Sequence, residues 1–193
     1  MTGPQFMNRT HGSMIKSKCK RNLIVVGACV GLLFTALPLH AGESGASVEP
    51  HKNSVVLGLD VGLGASHFTG GNDQLNLVSG FKAGAGVRED LLLLFEIASV
   101  RGVGSSSNMQ EYLFAVQFFP LEEGIYVRSG FGLGSAREVS FRRGYGIAGG
   151  TAVGYEWRIK KKFAFSPEFQ LGYVRDRGNN FAYGLAMDFR WYF

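Results

Sequence analysis

The residues of this 193-residue chain that could do chemistry are mostly charged, and they recur with a period of two. Asp60, Lys82, Arg88, Glu96, Glu111, Arg128, Glu156, Arg158, Glu168, Asp188 and Arg190 fall on the polar side of segments whose apolar residues occupy every second position. Five positive groups face six negative ones, so the stripe is nearly neutral. In a narrow low-dielectric tube only paired charges are tolerable, which predicts a salt-bridge and hydrogen-bond network instead of a reactive centre. Nucleophilic catalysis would need a histidine base beside a serine and an acidic orienter. His67 is the one histidine within a predicted strand, and His51 belongs to the linker before it. Ser66 adjoins His67 but points to the opposite face, and Ser105, Ser106 and Ser107 belong to a loop. A constellation of His67, a loop serine and Asp73 is conceivable, but no His-x-Ser pair lies on one strand face. The expectation is therefore no enzyme. No metal-ligand cluster is visible, and Gly130-Phe131-Gly132-Leu133-Gly134 lacks the helix and lysine of a phosphate loop, so no cofactor is expected.

The elements that must carry these residues are strands. Eight segments from Ser54 onward alternate: Val55, Leu57, Leu59, Val61 and Leu63 oppose Val56, Gly58, Asp60, Gly62 and Gly64, and the sequence from Phe181 to Phe193 repeats the pattern. A segment of about ten such residues crosses a bilayer at a tilt of about 45°. Short connections at Arg88–Asp90, Pro120–Gly124 and Arg158–Lys162 alternate with mostly longer ones at Thr69–Gln74, Arg101–Gln110, Ala136–Arg143 and Arg175–Asn180. The reading is an all-β fold: an eight-stranded antiparallel up-and-down transmembrane β-barrel over residues 54–193.

A secreted lipocalin-like barrel would also alternate, with its apolar stripe inside. The aromatic residues decide for the membrane. Phe118, Trp157, Phe163, Trp191 and Phe193 gather at the short-turn ends of the strands, and Tyr112, Tyr145, Tyr173, Phe181 and Tyr183 towards the other ends, as two interfacial girdles would. Glycine concentrates on the polar stripe, where a narrow lumen leaves little space. Eight strands enclose an interior just wide enough for side chains, so a filled lumen is expected, with a narrow channel as the alternative.

Residues 1–41 contain Arg9, Lys16, Lys18, Lys20 and Arg21 and no acidic residue, so the formal charge of +5 belongs to them. The remaining 15 basic and 15 acidic residues cancel, which removes the usual argument for nucleic acid as a partner. A basic stretch, an apolar run from Leu23 to Leu39 and small-residue chemistry at Leu39-His40-Ala41 predict a cleavable signal peptide over 1–41, with translation starting at Met1 or Met14. A periplasmic linker would span 42–53. Both cysteines, Cys19 and Cys29, fall within the signal, so the exported chain would lack thiols.

The segment Tyr183–Phe193, with Phe189, Trp191 and Phe193 at alternate positions, resembles the C-terminal assembly signal of outer-membrane proteins. From Ser54 to Phe193 the layout is similar to small outer-membrane barrels of the OmpX/Ail and OmpA-transmembrane-domain type. That resemblance implies a Gram-negative outer membrane, with the barrel assembly machinery and periplasmic chaperones as partners during biogenesis. It also implies a structural or surface-interaction role, and it keeps open a lipid A-modifying enzyme, since some eight-stranded barrels are acyltransferases or deacylases. At the outer rim Arg101, Arg137, Arg142, Arg143, Arg175 and Arg177 are candidate contacts for lipopolysaccharide phosphates, because guanidinium groups bind phosphate in bidentate fashion. The competing reading is a receptor for an anionic surface ligand.

Overall fold

The computed structural model describes residues 51–193 apart from 70–72, 122–123, 138–143 and 177. The expected signal peptide, its cleavage site and both cysteines lie outside the described residues, as do Arg142, Arg143 and Arg177. The described residues form nine strand segments: β1 (Val55–His67), β2 (Gln74–Arg88), β3 (Leu91–Gly102), β4 (Asn108–Phe118), β5 (Ile125–Arg137), β6 (Gly146–Tyr155), β7 (Trp157–Lys160), β8 (Phe163–Arg175) and β9 (Asn179–Tyr192).

These nine segments make eight staves. Both β6 and β7 pair with β8, and one register runs through them, from Gly154↔Glu168 to Trp157↔Phe165. The interruption at Glu156 lies opposite Ser166 and Pro167, and proline has no N–H to give to a ladder. Glu156 turns its own N–H to the Gly124 carbonyl instead, at 2.8 Å. The sixth predicted strand is thus one stave with a gap. All neighbours are antiparallel, and β9 returns to β1, so the sheet closes on itself. Phe193 completes the seam: its N–H donates to the Val55 carbonyl at 2.9 Å, and the Val55 N–H to the Phe193 carbonyl at 3.1 Å.

Several ladders run further towards the loops than alternation alone indicated. β3 and β4 stay paired out to Arg101↔Asn108, and β4 and β5 to Asn108↔Arg137. Leu57, Leu59, Val61, Leu63, Leu93, Phe114, Phe131, Ile147 and Phe181 are exposed on the outer wall. A continuous apolar belt of this extent requires apolar surroundings. Aromatic rings pack along its edges, Phe163 on Trp191 with centroids 5.5 Å apart at the short-turn end and Tyr173 on Phe181 at 4.8 Å towards the other.

The inner wall holds two apolar layers. Val56, Leu92, Leu94, Ala115, Phe119, Tyr126, Ala164 and Tyr192 form one near the short turns. Phe68, Val78, Val100, Met109, Leu113, Ala148, Val174 and Ala182 form the other towards the long loops. Period two assigns these residues to the inside, but it cannot say that they stack into layers.

Candidate functional site: the charged lumen

Between the apolar layers lies a buried ion-pair network. Lys82 on β2 is at its centre, with Nζ 2.7 Å from Asp60 Oδ2, 2.8 Å from Glu168 Oε1 and 2.8 Å from Asp188 Oδ2. Arg128 on β5 donates to both carboxylate oxygens of Glu168, at 2.6 and 3.1 Å. Its Nε also stands 2.6 Å from Glu96 Oε1, a charge contact whose angles fall short of a hydrogen bond. Arg190 on β9 binds Asp188 Oδ2 through Nε and Nη2, at 2.8 and 2.6 Å, and reaches Glu156 Oε2 at 3.0 Å. Tyr126 and Tyr192 add phenolic donors, to Glu168 Oε2 and Glu156 Oε2 respectively, both at 2.6 Å. Gln170 donates to Glu168 as well. Each group is fixed by its stave and the network closes across the lumen, with Lys82 and Glu168 86 residues apart in sequence.

Of the eleven residues read as a lumen network, ten point inward and one does not. Arg88 is exposed and pairs with Asp90, Nε to Oδ1 at 3.1 Å, outside the lumen. The cause is an irregularity in the β2–β3 ladder between Gly86 and Arg88, which offsets the alternation before the turn and re-aims the side chain. The inward set is therefore four basic and six acidic groups.

The short-turn mouth contains a residue that alternation assigned to a linker. His51 is only 3% exposed. It stacks on Phe119 with ring centroids 4.3 Å apart, and Arg158 Nη2 donates to its Nδ1 at 2.6 Å. Arg158 also lies over the Tyr192 ring at 4.5 Å and bonds Glu156 Oε1 through Nε at 3.1 Å. The chain reaches this position through Asn53, whose φ of 61° suits asparagine better than most residues, and whose N–H bonds the Gly86 carbonyl at 2.9 Å. At Gly86 a Cβ would stand 1.6 Å from the His51 carbonyl oxygen, so only glycine admits this turn. Burial pushes the imidazole down to about 4; Glu156 opposes the shift, and Arg158 and Arg190 add to it. Nothing local in the sequence marks His51, because its partners Phe119, Arg158 and Tyr192 come from three distant connections and strands.

At the long-loop end, His67 Nδ1 lies 2.9 Å from Asp73 Oδ1 on the surface. Ser66 points inward and is buried, while Ser105 and Ser107 bond each other and Gln74. The structure thus supplies the His67–Asp73 half of the conceivable constellation, and it joins no serine hydroxyl to His67 among the described residues. Arg101, Arg137 and Arg175 are exposed on the outward face of their strands at this rim. Asn108 lies between the first two, registered against both. Among the described residues no group of three or more His, Cys, Asp or Glu is arranged to hold a metal ion.

No protein-family model matches the sequence, and no curated protein matches it. Solved structures do match the fold. The chain is similar to Neisserial surface protein A, with a TM-score of 0.59 at 11% identity over 74% of this chain and 100% of that one. It is also similar to the N-terminal β-barrel domain of Pseudomonas aeruginosa OprF, with a TM-score of 0.50 at 14% identity over 72% of this chain and 98% of that one. With its closed ring of eight antiparallel staves and its apolar outer belt, the chain has the fold of the small outer-membrane β-barrels.

Proposed function

We propose that the protein is an integral barrel of a Gram-negative outer membrane, exported by a signal peptide over residues 1–41, that acts as a structural or surface-interaction protein and not as a pore or an enzyme. The observation that carries this reading is the filling of the lumen. His51, Phe119 and Tyr192 occupy the short-turn mouth, the ion-paired residues fill the middle, and Phe68, Met109 and Val174 close the long-loop end. A tube filled by paired charges between two apolar layers leaves little room for a continuous aqueous path. Its interactions then belong to its surfaces. Arg101, Arg137 and Arg175 suit the phosphates of neighbouring lipopolysaccharide, and Phe189, Trp191 and Phe193 suit capture by the barrel assembly machinery after periplasmic chaperones release the chain. The His67–Asp73 pair lacks a bonded nucleophile, which favours a structural role over lipid A modification.

Planar-bilayer recording tests the reading. The reconstituted protein is expected to give no discrete conductance steps, even at high salt. Reproducible single-channel openings would replace this reading with that of a narrow channel.

A further inference from the structure

One part of the lumen is not accounted for by the filled network. Between the ion pairs and the long-loop apolar layer lies a cavity of about 40 Å³, lined by Asp60, Lys82, Glu96, Glu111, Arg128 and Gln170 among others. A single water needs roughly 10–15 Å³ by the same measure, so the space has room for a small ion with about two waters. Glycines keep it open. A Cβ on Gly172 would stand 2.8 and 3.0 Å from the two carboxylate oxygens of Glu111, and one on Gly150 would press on Leu113 at 3.0 Å.

The walls carry three carboxylates against two cations. Lys82 and Arg128 are already engaged with Asp60, Glu96, Glu168 and Asp188. Glu111 is 4% exposed, and its Oε1 has no hydrogen-bond partner. The same holds for Oδ1 of Asp60, the residue whose other oxygen meets Lys82. A buried carboxyl oxygen without a partner is costly, and either a proton or a counter-ion relieves it.

We propose that this cavity binds one small monovalent cation, with Glu111 Oε1 as its principal ligand and Asp60 Oδ1 and water completing the shell. Two observations set the valence. Among the lining residues the carboxyl groups outnumber the cations by one, three to two, and no group of three or more acidic or imidazole ligands stands ready for a divalent metal among the described residues. Sodium and lithium fit the space, whereas a bulky organic cation does not. The site does not depend on whether the barrel conducts.

The test compares unfolding of the full-length barrel in lipid vesicles in sodium, lithium or N-methylglucamine chloride at equal ionic strength. A ligand that binds only the folded state raises the unfolding midpoint. The midpoint should be higher by a few degrees in sodium and lithium than in N-methylglucamine. That difference should vanish in Glu111→Gln and shrink in Asp60→Asn. Equal midpoints in all three salts would overturn the proposal, and so would a difference that persists in Glu111→Gln. If the variants fail to fold, the wild-type protein still decides. The sodium NMR line should broaden with protein and sharpen when lithium displaces the ion. A line that does not broaden, or an infrared band showing a protonated Glu111 carboxyl, would overturn it.

Discussion

The two halves of the lumen are built from the same alternating strands and filled in different ways. In the short-turn half, long side chains from separate staves meet: Lys82, Arg128, Arg190, Glu156, Glu168 and Asp188, capped by His51 on Phe119. In the long-loop half the residues are smaller or apolar, and Glu111 is the charge that the network does not reach. The first half is held by directional contacts that fail together when one partner is lost. The second is held by packing, which fails locally. The strands are shared, so the difference comes from which residues lie at each height along the staves.

The sharpest way to break the comparison is Glu168→Ala. It leaves Lys82 and Arg128 short of a partner in a low-dielectric interior, and removing one side of a buried ion pair typically costs about 3–5 kcal/mol. Urea unfolding in vesicles, followed by the fluorescence of Trp157 and Trp191, should show a loss of that order, and a change below about 1 kcal/mol would contradict a cooperative network. In the packed half, Met109→Ala removes a fully buried side chain and is expected to cost about 2–4 kcal/mol by the same measurement. It should leave the pH dependence of stability untouched.

The smallest effect separates the mouth from the body of the barrel. His51 is held neutral in the folded chain, its value lowered from 6.5 to about 4, so the unfolded chain binds the extra proton first. Stability from this group is complete above about pH 6.5, falls as the pH drops towards 4, and is level below that. The expected loss is about 1–3 kcal/mol. A His51→Gln variant measured over the same range should show a flatter profile. A slope identical to that of the wild type would mean that the mouth does not couple to folding.

Much of this was legible in the sequence. Period two gives the strands, the inward and outward faces and the closed ring, because a one-residue slip would turn every apolar side chain away from its environment. Of the eleven charged residues that it reads as inward, ten are buried or half-buried in the structure. Arg88 escaped because a ladder irregularity breaks the count just before a turn. The gap at Glu156 has a visible source in Pro167, eleven residues later, but its effect requires knowing that those positions face each other. His51 was hidden for a different reason. Its burial depends on a turn at Asn53 and a glycine on the neighbouring strand, and neither has a periodic signature. Nor does alternation fix height along the barrel axis, so it cannot predict which charges pair and that Glu111 is left over.

The seam at Phe193 also bears on how the chain could be cut and rejoined. Because Val55 and Phe193 exchange backbone hydrogen bonds, the two ends of the barrel are neighbours in space although 138 positions separate them. The order of strands around the ring therefore has no privileged starting point. A circular permutant opened at the exposed Arg88–Asp90 turn and bridged across the old seam would keep every ladder, while converting the longest-range pairing into a local hairpin.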